Sequence, residues 1–151
     1  MTRNTRKLHV RGSLDELAKC MSVVDEGARR AGLLARRRES LEFACREGYL
    51  AIVECCQTRG QRGVLEMEVS WDDASITVSL HHTGNRLDSL FDQIPLDQRL
   101  ESMHRCVDEL RYICGTRFGN QLSLVLHLLP REAARCRSLA NTPPPRARAA
   151  R

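Results

Sequence analysis

The apolar positions of this chain change their period several times. Leu65, Met67, Val69 and Trp71 alternate with Glu66, Glu68 and Ser70. After Asp72-Asp73 the alternation resumes: Ala74, Ile76, Val78 and Leu80 are interleaved with Ser75, Thr77 and Ser79. A period of two marks strands with one buried and one wet face, and the short polar link predicts a tight antiparallel hairpin. Leu122, Leu124, Leu126 and Leu128 repeat the pattern in a last strand that Pro130 ends, and "KLHVR" at 7–11 predicts a short first one.

Elsewhere the spacing is three and four. Leu14, Leu17, Met21, Val24, Ala28 and Ala31 form one stripe of an amphipathic helix. Ser13 and Glu16 match a capping box at its start, and Gly32 suits its close. A second helix is expected over 38–56, with Leu41, Ala44, Cys45, Gly48, Ala51, Ile52 and Cys55 on its broad apolar face. Glu47 and Glu54, seven apart, lie on one side close to that face. A third helix is expected from Leu96–Gln98 onward, with Leu100, Met103, Val107, Leu110 and Cys114 as its inner stripe. An extra strand at 116–118 is compatible with the pattern, and "TRGQRG" at 58–63 reads as a link. These elements predict an α+β fold: a two-layer α/β sandwich whose mixed, mostly antiparallel sheet is covered on one face by about three helices. The expected organisation is a flexible basic leader (1–6), one domain (7–130), and a tail (131–151), partly helical and then disordered.

Composition adds limits. The 151 residues are the size of one ordinary domain. The net charge of +5 points first to nucleic acid. However, six of the 24 Lys and Arg residues lie at 3, 6, 7, 146, 148 and 151, which leaves the body near neutral. Phe43, Phe91, Phe118, Trp71, Tyr49 and Tyr112 form no aromatic-basic stripe, so dedicated nucleic-acid binding is not expected. Arg36-Arg37-Arg38 reads as a solvated helix start. No apolar run is long enough to span a bilayer and no signal-peptide pattern opens the chain, so a cytoplasmic location and no membrane contact are expected. The seven cysteines include no CxxC pair, and His81-His82 point to opposite faces of a strand, so no metal site is expected. Adjacent Cys55 and Cys56 leave redox sensitivity open.

Three stretches carry a further signal: "LEFACREGYLAIVECC" (41–56), "ITVSLHHTGNRLDSL" (76–90) and "DQRLESMHRCVDELRY" (97–112). In order and spacing, residues 7–128 resemble the histidine-kinase-like ATPase (GHKL) superfamily, and most of all the small anti-sigma-factor serine kinases of bacteria. The resemblance implies a nucleotide site between the second helix and the turn after the hairpin. Glu47 matches the family's catalytic Glu, but Ala51 stands where an Asn holds Mg²⁺. In the Asp-x-Gly-x-Gly motif, His82 replaces the adenine-binding Asp, Gly84 matches the first Gly, and Arg86 replaces the second; Leu87 and Asp88 keep the flanking pattern. "DQRL" at 97–100 replaces the Gly-x-Gly-Leu phosphate loop, and Asp88 to Asp97 leaves little room for a lid.

Metal, adenine and phosphate contacts are therefore lost together, and no cofactor is expected. The implied function is a non-catalytic regulatory module that binds proteins by partner switching. By analogy the partner is a sigma factor or an anti-anti-sigma antagonist, and a homodimer is compatible. Two alternatives stay open: an active serine-protein kinase that binds Mg-ATP and uses Glu47, and a nucleic-acid-binding or other non-enzymatic domain.

Overall fold

The computed structural model describes residues 2–11, 13–58, 64–83, 94–116 and 119–143. Five strands form one antiparallel sheet: β1 (Asn4–Arg11), β2 (Val64–Trp71), β3 (Ser75–His82), β4 (Glu109–Thr116) and β5 (Gly119–His127), in the order β1-β2-β3-β5-β4. Four helices accompany it among the described residues: α1 (Leu17–Arg30), α2 (Ala35–Thr58), α3 (Ile94–Cys106) and α4 (Pro130–Ala140). The fold is α+β, as expected, and every described strand pair is antiparallel.

The sheet's inner face carries the alternating apolar set: Leu65, Met67, Val69, Ile76, Val78, Leu80, Leu122, Leu124 and Leu126 are all buried in one core. The helices pack on that side. At Gly27 of α1 a Cβ would sit 2.6 Å from Val69 Cγ1; at Gly48 of α2 it would sit 2.9 Å from Leu122 Cδ2 and 3.5 Å from Leu80 Cδ1. Met103 of α3 comes within 3.7 Å of the same Gly48 position, so α3 closes against α2. The outer face is polar. There Ser79 and Ser123 share a hydroxyl hydrogen bond of 3.1 Å, and Arg3 donates to Ser70 at 2.9 Å and Thr77 at 3.0 Å.

Local signals account for the ends of α1 in different ways. Ser13 is extended and its side chain makes no cap; a 3-10 turn over Leu14–Glu16 leads into the helix. Glu16 instead accepts the backbone N–H of Arg11. At the other end Gly32 takes φ +81°, which an L side chain rarely adopts. Leu33 N–H then reaches Ala28 O (3.1 Å) and Gly32 N–H reaches Arg29 O (3.0 Å), the paired closure that a left-handed residue allows.

The third helix departs from expectation. It stops at Cys106, and residues 109–116, read in part as its continuation, form strand β4. Leu110 and Cys114 fit a spacing of three and four, but Leu110 and Tyr112 also alternate, opposite Leu124 and Leu122 of β5. Tyr and Ile suit a pleated surface, and the open edge of β5 decides between the two readings. Asp108 makes the break: its N–H donates to Val125 O (2.9 Å), and its carboxylate accepts His127 N–H (2.7 Å).

Two smaller differences follow from packing. Strand β1 begins at Asn4, three residues before the expected start at Lys7, because it pairs with β2 up to Trp71. Two of the three arginines at the start of α2 are ion-paired: Arg37 Nε lies 2.9 Å from Glu132, and Arg38 Nε lies 3.4 Å from Asp25. Residues 59–63, the short link, and 144–151, the Pro/Arg tail, lie outside the described residues.

Candidate functional site

Spacings of four and three place Glu47, Ala51 and Glu54 along one flank of α2. Ala51 is buried, 3% exposed, and its methyl belongs to the core. A methyl offers no oxygen, whereas Mg²⁺ takes oxygen ligands in near-octahedral array. The residues at this position do not fit the metal that the resemblance implies.

Glu47 is only partly exposed, and α3 brings a cation onto it. Arg99 Nε lies 3.0 Å from Glu47 Oε2. The other two guanidinium nitrogens donate to Glu54, Nη1 at 2.8 Å and Nη2 at 3.3 Å. One planar fork thus bridges two carboxylates a helical heptad apart. Glu54 first, and Glu47 after it, hold the Arg99 pKa above its already high value. Glu47 is already ion-paired with a permanent cation, whereas a general base must be free to accept a proton from substrate.

His82 ends β3 on the inner face, next to the α2-facing Leu80. It is buried, and the Tyr112 hydroxyl lies 3.2 Å from its Nε2. The two rings are stacked, with centroids 6.1 Å apart and planes 19° from parallel, so Tyr112 reaches over β5 to meet it. Nδ1 has no hydrogen-bond partner among the described residues. Burial pushes the His82 pKa down to about 4, so the ring is neutral at pH 7. A neutral ring offers one donor and one acceptor, not the two acceptor oxygens of the Asp that the resemblance implies at this position. Gly119 (φ +97°) permits the close approach behind it, since a Cβ there would lie 2.7 Å from His82 O.

The structure therefore joins Glu47 and Ala51 on α2 and puts His82 at the strand end beyond Leu80. Gly84 and Arg86, with the rest of the 84–93 segment, lie outside the described residues. Arg99 and Tyr112 were not singled out from sequence. A signal for Arg99 existed: a lone cation at a helix start, with two glutamates seven apart on another amphipathic helix. Tyr112 carries none, because the local spacing around it fits a helix.

Three of the described cysteines are shielded. Cys20, Cys45 and Cys136 are buried free thiols; burial pushes the Cys20 pKa to about 11 and Cys45 higher still. Such thiols are poor nucleophiles. The side chains of Cys55 and Cys56 lie outside the described set. No helix among the described residues is long and apolar enough to cross a membrane. No protein-family model matches the chain, and no curated protein matches it.

Proposed function

We propose that this chain is a non-catalytic, protein-binding regulatory module of the anti-sigma-factor type, built on a histidine-kinase-like ATPase scaffold and acting by partner switching without ATP. One observation carries the reading: Arg99, from the segment that resembles a phosphate loop, lies on Glu47, the one catalytic side chain retained. Buried Ala51 and neutral His82 support it, since neither supplies what Mg²⁺ or an adenine amino group needs. The element order and the inner-face helices are compatible with the scaffold. The proposed partner is a sigma factor or an anti-anti-sigma antagonist, an assignment that comes from the resemblance alone.

Calorimetric titration with Mg-ATP and Mg-ADP tests the proposal. Absence of saturable binding up to millimolar nucleotide, together with a stable complex with a sigma factor or antagonist from the same cell, is the expected result. Micromolar nucleotide binding would overturn it. Phosphate transfer to a partner, abolished by Glu47→Gln, would establish the kinase reading in its place.

A further inference from the structure

The open face of the sheet carries a second constellation, on the opposite side from Glu47 and His82. Register aligns His9 of β1 with Glu66 of β2, and Glu66 with His81 of β3. The three form one row across three strands, and Glu68 follows two residues after Glu66 on the same face. Ligand atoms from Glu66, Glu68 and His81 all lie within 4.8 Å of one another. His9 Nδ1 lies 3.4 Å from Glu66 Oε2.

We propose that Glu66, Glu68 and His81, with His9 as a fourth donor, bind a first-row divalent transition ion of the Zn²⁺ class. Two residues at i and i+2 on one strand and a third on its neighbour present three donors from a rigid, hydrogen-bonded backbone. Bonds of about 2.1 Å at a tetrahedral centre put ligand atoms roughly 3.4 Å apart, so the Glu66, Glu68 and His81 side chains need close by at most about 1.4 Å. Mixed imidazole and carboxylate donors favour zinc-like ions over Mg²⁺ or Ca²⁺, which take oxygen alone.

Lys7 is the competing cation. Its Nζ lies 3.2 Å from Glu68 and 3.9 Å from Glu66 on a largely exposed, flexible stem, and both carboxylates raise its pKa. A divalent ion displaces that ammonium and leaves the lysine to solvent. The inference is independent of the regulatory reading, because it uses none of the same residues.

The test is calorimetric titration of the chelator-stripped full chain with Zn²⁺ at neutral pH, with Mg²⁺ as the control ion. One saturable Zn²⁺ equivalent is expected, with no heat from Mg²⁺. His81→Ala and Glu68→Gln, both on the solvent face, should each weaken Zn²⁺ binding by at least about tenfold while the circular dichroism spectrum is unchanged. Lys7→Met should bind at least as tightly as the parent chain. Cobalt(II) in place of zinc should give a visible spectrum without thiolate charge transfer, which separates this site from the cysteines. The proposal is overturned by no saturable Zn²⁺ binding, by undiminished binding in His81→Ala, by weaker binding in Lys7→Met, or by a thiolate band.

Discussion

Replacing Glu132 with alanine tests how α2, the helix that carries Glu47, is held in place. The Glu132 side chain is fully buried at the start of α4. Its Oε1 accepts the Leu34 N–H at 3.1 Å and lies 2.9 Å from Arg37 Nε; its Oε2 accepts the Leu129 N–H at 2.9 Å. One carboxylate therefore accepts from the chain entering α2 and from the start of its own helix, and it is ion-paired with a cation. Its removal leaves Arg37 with the His127 carbonyl, to which Nη2 donates, and with Asp108 at 3.9 Å, and it leaves two backbone donors without their acceptor. Breaking a buried ion pair from one side costs about 3–5 kcal/mol. Arg37 is a quarter exposed, which pulls the value towards the low end. The lost caps, about 1 kcal/mol each in isolation, are not additive because one carboxylate makes both. A loss of about 3–4 kcal/mol is expected, a large share of a typical domain's 5–15 kcal/mol. In urea unfolding followed by circular dichroism, a slope of about 2 kcal/mol per molar converts this to a midpoint shift of about 1.5–2 M. Glu132→Gln keeps one acceptor oxygen without the charge and should fall between the two. A loss below about 1 kcal/mol in Glu132→Ala would refute this account of the junction.

Burial of His82 makes stability depend on pH. Its folded pKa of about 4 lies below the ordinary 6.5, so the unfolded chain binds the proton first as pH falls. Its stabilising contribution is complete above pH 6.5 and is lost between there and about pH 4, by about 1.4 kcal/mol per unit. The stability difference between wild type and His82→Gln, measured by urea unfolding across that range, should shrink accordingly; a pH-independent difference contradicts it. Ala51→Asn would restore the metal-ligand type of the resembled family but bury an amide in the core, so a loss of about 1–3 kcal/mol in thermal unfolding is expected. Gly32→Ala combines an unfavourable φ with a Cβ 2.6 Å from Glu132 O, and should lower stability by about 1–3 kcal/mol in the same assay. Arg99→Gln removes a partly exposed cation and should cost no more than about 1 kcal/mol in stability.

Much of this architecture is legible in local period. The β2–β3 hairpin, the α1 and α2 faces, β5 and the Gly32 closure all depend on residues within a few positions of one another. Strand alternation and helical spacing are properties of the backbone itself, so they show in the string of residues. Residues 107–114 are the exception that explains the rule: Leu110 fits both periods, and only the free edge of β5 makes the segment a strand. The candidate site divides the same way. Glu47 and Ala51 share a helix face whatever the rest of the chain does. Arg99 meeting Glu47 and Glu54, Tyr112 meeting His82, and Glu132 reaching Leu34 across 98 positions all require elements distant in sequence to be packed together. The row of His9, Glu66 and His81 exists only through strand register, which a shift of one residue would turn to the other face. Local periodicity determined most of the elements, whereas tertiary packing decided the strand at 109–116 and which charges meet.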